Sequence, residues 1–389
     1  MNRRFTLDGS DGLEARLEEL CRRAAEGVRT VTPERELQAL VLGGGYGRGE
    51  GGVLRNGTTE EPYNDLDFYV FRRGPRRWWS GQEAALERLG EHLSDGAGLH
   101  VEFKLDALET FRRRPVSMFS YDLVSGHRIV LGDEGVFAGC NAHSNAQAIP
   151  LSEAARLLLN RCSGLLLAAE KLRNEAPSEA DLDFANRNIS KARLALGDAV
   201  LAARGLYHWS SRYRATLLSA LPGSAAMPWL EEVRQHHAAG LEFKLHPSRP
   251  RKAPGETTDA VTSRLAADHR AVSDVALGVW LWLENQRLGR RFTSVSDYVL
   301  DSARKGSETS AGRSFLLTLR ALGLRAAWNE FAWRYPRERL LNTLPLLLWE
   351  RQRLSEPRVL RHLRRQLRPR SDAWPEQLAA YERLRRRFG

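Results

Sequence analysis

Residues 64–70 read N-D-L-D-F-Y-V, and this short stretch constrains the fold more than any other in the chain. In an extended strand, side chains two apart share a face. Leu66, Phe68 and Val70 therefore call for a buried side, while Asp65 and Asp67 stand together on the other. Two carboxylates so placed repel, and burial without a counter-charge would raise their pKa values. A divalent cation bound by oxygen ligands is the simplest way to keep both ionised. One Mg²⁺ fits, and two fit better once a third carboxylate joins.

The flanking segments supply candidates for the rest of such a site. Upstream, residues 37–42 (L-Q-A-L-V-L) read as a short buried strand running into L-G-G-G-Y-G-R-G-E-G-G at 42–52. Glycines let the backbone approach a ligand and adopt positive φ. Backbone N–H groups in such a turn can cradle phosphate, and an arginine adds a planar charged fork. The candidate nucleotide-binding residues are Gly44, Gly45, Tyr46, Arg48 and Gly49. Downstream, residues 99–105 suit a strand, and H-V-E-F-K-L-D (100–106) puts Glu102, Lys104 and Asp106 on one face and Val101, Phe103 and Leu105 on the other. If this strand lies beside the Asp65/Asp67 strand, Glu102 completes the acid trio, with Asp106 as the substitute. Lys104 either neutralises phosphate or pairs with an acid, and the second is the simpler reading.

Strand, glycine turn with an Arg-Gly pair, and Asp-x-Asp on the next strand together resemble the polymerase-β-type nucleotidyltransferase superfamily, in particular its small-molecule, aminoglycoside-nucleotidyltransferase-like branch. G-G-Y-G-R-G-E (44–50) follows that family's Gly-Ser-x-x-Arg-Gly pattern, with Gly45 where serine is usual. The resemblance covers residues 37–106, and S-Y-D-L-V-S-G-H-R-I-V-L-G-D (120–133) resembles the segment that closes the domain far less specifically. It implies that Asp65, Asp67 and Glu102 are both catalytic and metal-binding, with two Mg²⁺ as cofactors and an NTP as substrate. The implied reaction moves an NMP group to the hydroxyl of an acceptor, here a small molecule, and releases pyrophosphate. Glu102 would serve as ligand or as general base. Residues 51–64 lengthen a loop that is usually short in the family, which makes them a candidate for shaping substrate access. Two alternatives stay open: nucleotidylation of RNA or protein, and a catalytically inactive nucleotide-binding protein on the same fold.

The rest of the chain reads as helix. The expected fold class is α+β: a small mixed-sheet domain (1–150) with an amphipathic helix at 12–28, then an all-helical C-terminal region. Within the first domain, a helix is expected at 81–94 and short strands near 121–124 and 128–131, joined by Ser125-Gly126. Residues 151–245 form a helical domain, with helices at 151–175, 180–204 and 208–220. H-P-S-R-P-R-K-A-P-G-E-T-T-D (246–259) reads as a linker or mobile loop. Residues 260–389 return to helix, at 260–288, 308–325, 338–354 and 374–388, and include an Arg-rich tail.

The net charge of +11 would suggest a nucleic-acid partner, but residues 351–389 alone hold twelve Arg against four acidic residues. Arg outnumbers Lys 53 to 6 along the whole chain, which points to a compositional bias. A nucleic-acid role through L-R-R-Q-L-R-P-R (363–370) is therefore not favoured. Cys21, Cys140 and Cys162 are odd in number and form no CxxC pair, which argues against a disulfide framework or zinc site and for a reducing compartment. The first twenty residues lack an apolar core, and no apolar run is long enough to span a bilayer. A cytoplasmic protein with no membrane partner is expected.

Overall fold

The computed structural model describes residues 4–63, 65–73, 79, 81–250, 257–306, 310–323 and 330–389. It opens with the amphipathic helix, α1 (Asp11–Val31), whose N-cap Ser10 accepts from the Leu13 N–H. Leu13, Leu17, Leu20, Ala24 and Val28 recur at helical spacing and are buried. The sheet region follows as β1 (Leu37–Leu42), α2 (Gly44–Arg48), β2 (Val53–Asn56), β3 (Thr59–Pro62), β4 (Leu66–Arg72), α3 (Gln82–Ala97), β5 (Val101–Ala107), α4 (Leu108–Arg113), α5 (Met118–Ser125) and β6 (Arg128–Gly132). The fold is α+β, with a mixed four-stranded sheet, a separate two-stranded hairpin and many helices.

The sheet order is β5-β4-β1-β6. Strand β1 is antiparallel to β4 and β6, while β4 and β5 are parallel. A parallel pair needs a crossover, and α3 supplies it. The alternation seen in sequence decides what each face buries. Leu66, Phe68, Val70 and Val101 pack with α1 and α3 in one core. Ala39, Val41, Tyr69 and Phe71 face a second core with Leu108, Phe111 and Leu123 from α4 and α5. The acid-bearing face of β4 is thus apolar along its later residues and polar only at its start.

Two expectations within this region change. Residues 121–124 are helical, within α5, rather than a strand. Ser117 and Ser120 form a reciprocal capping box there, which satisfies the first orphan N–H groups and fixes a helix start. The strand at 128–132 is present as β6. Residues 51–64 are not an open loop: β2 and β3 pair as a hairpin in the register Val53↔Pro62 to Asn56↔Thr59. Val53 and Leu54 are buried. Arg55 pairs with Asp8 and Glu60, and Glu60 accepts from the Ser10 N–H at 2.6 Å, so the insertion is fastened to the N-terminal segment.

Beyond Pro150 come α6 (Leu151–Leu172), α7 (Glu179–Ala203), α8 (Ser211–Ala220), α9 (Leu230–Leu245), α10 (Thr258–Leu288), α11 (Val295–Leu300), α12 (Ala311–Leu322), α13 (Arg337–Leu341), α14 (Leu344–Trp349), α15 (Pro357–Leu367) and α16 (Trp374–Phe388). The helix expected over 338–354 is broken into α13 and α14, with Pro345 in the first turn of α14. The Arg-rich tail is folded: Val359, Leu363 and Leu367 of α15 are buried, leaving Arg358, Arg361 and Arg365 exposed. Among the described residues, no helix is long and apolar enough to cross a membrane.

The division of the chain also differs from the expected one. One compact unit holds 1–150 together with 204–221 and 238–249; the other holds 151–203, 222–237 and 250–389. Pro150 ends the first stretch of the first unit, and the segment 151–245 is divided between the two units. Residues 246–249 stay with the first unit, 251–256 of the expected linker lie outside the described residues, and α10 starts within it, capped by Thr257.

A buried carboxylate explains why 204–221 and 238–249 belong to the first unit. Glu50, next to the glycine turn, accepts from the Ser210 hydroxyl at 2.6 Å and the Ser211 N–H at 2.9 Å, and lies 3.4 Å from the Lys244 ammonium. It caps α8 and neutralises Lys244 together. Burial pushes the Glu50 carboxyl up, but Lys244, Ser210, Ser211 and Arg48 outweigh it and hold the pKa at about 2.

Glu50→Ala should destabilise the first unit by about 3–5 kcal/mol, because a buried ion pair loses one member. The sign of the pH effect follows from the lowered pKa. The stabilisation is full above the unfolded value near 4.5 and is lost as pH falls toward about 2. Denaturant titrations between pH 6 and 2 should show this loss in the wild type and a flatter profile in Glu50→Gln.

Candidate active site

Strand β4 carries Asp67 as its second residue, and Asp65 stands exposed just before it. The parallel register sets Leu66 against Val101 and Asp67 against Glu102. Two bonds fix this end of the strand: the Leu66 N–H donates to the His100 carbonyl, and the Gly43 N–H donates to the Asp67 carbonyl, both at 2.9 Å. The structure therefore brings together one carboxylate from each of two neighbouring strands.

A cation already lies between them. Lys104, on the same face of β5, donates to Asp67 Oδ1 at 3.0 Å and lies 2.9 Å from Glu102 Oε2. Its ammonium also sits 5.5 Å from the centre of the Tyr69 ring. Burial opposes the charge on Lys104, yet Tyr69, Asp67 and Glu102 outweigh it and hold its pKa above the ordinary lysine range. The pairing of Lys104 with an acid, the simpler of its two sequence readings, is the one seen.

Asp106, the substitute third acid, is engaged elsewhere. Arg114 grips both of its carboxylate oxygens, at 2.6 and 2.7 Å, and its register partner is Phe71. Glu102 is the acid that stands beside Asp67. Among the described residues, no three His, Cys, Asp or Glu side chains stand together as a metal-ligand group. The donors fit a hard divalent ion in kind. They are carboxylate oxygens on adjacent strands, and the gap between Asp67 and Glu102 accommodates positive charge. The ladder brings together two of the three expected ligands, Asp67 and Glu102, with Asp65 just before β4.

The glycine run folds as one helical turn, α2, with Gly43 as its N-cap. Two positions in it admit no side chain readily. At Gly44, φ is 62°, and a Cβ would come within 3.2 Å of Asp67 Oδ2. At Gly47, a Cβ would come within 2.2 Å of the Leu42 carbonyl oxygen. The turn is pressed against the end of β1 and leaves space beside the Asp67 carboxylate. Gly45 and Gly49 serve its closure: the Glu50 N–H donates to the Gly45 carbonyl at 2.8 Å, and the Gly49 N–H to that of Tyr46 at 3.3 Å.

Tyr46 and Arg48, both expected to contact nucleotide, are built into the scaffold. Tyr46 is buried; its hydroxyl donates to the Gly52 carbonyl at 2.8 Å and accepts from the Tyr63 N–H at 3.0 Å. Arg48 forms a largely buried ion pair with Asp122 of α5 at 2.7 Å. The Tyr207 hydroxyl donates to the same Asp122 oxygen at 3.2 Å, and Arg214 donates to that hydroxyl at 2.9 Å. Sequence reasoning missed Glu50, Asp122, Arg214 and Lys244. Glu50 and Asp122 lie within the motif segments quoted above, but nothing in the spacing of Arg214 or Lys244 marks them.

No protein-family model matches this chain, and the search of curated proteins found no match.

Lys104→Met tests how strongly the two acids are coupled. Without the ammonium, Asp67 and Glu102 repel, and thermal denaturation in metal-free buffer should show a loss of about 1 kcal/mol, or roughly 2–4 °C. Added Mg²⁺ should restore the variant more fully than it stabilises the wild type, where it competes with the ammonium. An unchanged melting temperature with no such difference would show that the acids are independent.

Proposed function

We propose that this chain is a nucleotidyltransferase of the polymerase-β type. The observation that carries the reading is the juxtaposition of Asp67 with Glu102 across a parallel strand pair, beside a glycine turn that leaves room at the Asp67 carboxylate. Mg²⁺ held by Asp65, Asp67 and Glu102 would, when bound, stabilise the charge on the phosphate oxygens and ease ionisation of the acceptor hydroxyl.

The chain's own residues have separate tasks in this reaction. Gly44 keeps the space beside Asp67 free for a phosphate group. Lys104, released from the two acids, contributes positive charge to the triphosphate. Glu102 takes the proton from the acceptor hydroxyl if it acts as base. The acceptor oxygen bonds to the α-phosphorus, the α–β phosphoanhydride bond breaks, and pyrophosphate leaves with the bonding electron pair. The resemblance in sequence implies a small-molecule acceptor.

A second reading has one observation in its favour. Lys104 engages both Asp67 and Glu102, as it would in a protein that binds nucleotide without turning it over. Incubation with each labelled NTP, Mg²⁺ and a panel of acceptors separates the two readings. NTP-dependent thermal stabilisation without any transfer would support the binding protein.

For the transferase, Asp65→Asn and Asp67→Asn should each lower transfer at least about 100-fold, the loss typical of removing one preorganised electrostatic contact. Transfer at the wild-type rate in either variant, or undiminished in excess chelator, would overturn the proposal.

A further inference from the structure

Strand β5 is the edge of its sheet, with β4 as its only partner among the described residues. The bond from the Leu66 N–H to the His100 carbonyl sets the phase of the parallel ladder. Residues 100, 102 and 104 turn their backbone groups toward β4, so Val101, Phe103 and Leu105 turn theirs outward. The Val101 N–H is met by the Ser94 hydroxyl at 2.9 Å. Phe103 and Leu105 present an open row of donors and acceptors, the condition under which a sheet takes on another strand.

This edge forms one side of a groove of about 660 Å³, with α3 on the other. The α3 side is acidic. Glu87, Glu91 and Asp95 line the groove at successive i, i+4 positions, are exposed, and form no ion pair with a described residue. Like charges at that spacing oppose the helix they stand on, and a cationic occupant would relieve them. Leu86, Phe103 and Leu105 give the groove a partly apolar floor, and Glu102 and Lys104 lie along it. A second copy of the chain would bring its own acidic helix to the same edge, which charge opposes.

We propose that this groove binds an extended, basic polypeptide segment as an added strand beside β5. Strand alternation divides the segment's side chains. Those on the α3 face carry Lys or Arg to Glu87, Glu91 and Asp95. The intervening residues fall on the face of Glu102 and Lys104, where a Ser or Thr hydroxyl would stand at the candidate site. That the segment is the nucleotidyl acceptor, in place of the small molecule implied by the sequence resemblance, rests on the proposed transferase activity; the binding itself does not.

The test uses the full-length protein without NTP or Mg²⁺ and a fluorescein-labelled peptide of four Lys-Thr repeats, read by polarisation. Binding should fall at least tenfold when Lys is replaced by Glu, and at least tenfold in the E87Q/E91Q/D95N variant, with its fold checked by circular dichroism. N-methylation of every second peptide amide should weaken binding in one phase and spare it in the other, because an added strand uses alternate amides. No binding would overturn the proposal. So would binding indifferent to the phase of methylation, or displacement by spermine at matched charge, both of which indicate attraction of any polycation. A dimer that sediments in the absence of peptide and excludes it would assign the edge to a second copy and also overturn the proposal. Because the assay contains no nucleotide, failure of transfer and failure of docking are read separately.

Discussion

Repulsion between two neighbouring carboxylates is the constraint that the sheet accommodates where β4 and β5 begin. Burial of Leu66, Phe68, Val70 and Val101 in one core leaves Asp67 and Glu102 on the opposite face. A slip of one residue would turn the apolar side chains outward, so the register is strongly fixed. The same hydrophobic force that assembles the strands therefore presses two like charges together. Lys104 meets that demand within the protein, pairing with both Asp67 and Glu102.

Much of this was legible because strands and amphipathic helices write their burial into sequence. The periods over 12–28, 37–42, 66–71 and 99–105 each correspond to an element of the sheet unit. Asp67 and Glu102 could be paired on paper because strand phase placed both on one face. Asp106 shared that phase, and only the ladder, with Arg114 beside it, separates it from Glu102. The errors have local causes. Y-D-L-V alternates well enough to pass for strand, but Ser117 and Ser120 supply the stronger signal of a helix start. The hairpin at 53–62 turns on Gly57-Thr58, with the glycine at φ 62° in the first loop position, within a stretch read only for its length. What could not be read were contacts across large sequence separations, such as Glu50 with Lys244 and Arg48 with Asp122, since no period connects them.

Those long-range contacts change how the glycine turn is understood. It is held from several sides: Gly43 to the Asp67 backbone, Tyr46 to Gly52 and Tyr63, Arg48 to Asp122, and Glu50 to the start of α8. Most of its side chains are committed to the scaffold. In the proposed function, its contribution would come from shape and backbone. That agrees with Gly45 standing where related motifs have serine, and with positions at which even a methyl group would collide.

The interleaving of the two units along the chain has a consequence for synthesis. The sheet is complete by residue 132, but the partners of Glu50 are made later: Ser210 and Ser211 about eighty residues on, and Lys244 about a hundred and ten. At ordinary elongation rates the ribosome needs roughly five to twenty seconds to make up that distance. During this interval the nascent sheet carries a carboxylate whose counter-charge does not yet exist, and α6 and α7 emerge before the first unit can close. Domains that occupy contiguous sequence can finish folding one after the other as they leave the tunnel. Here the N-terminal unit must wait for a segment of chain that follows part of its neighbour, which ties the folding of both to the order of translation.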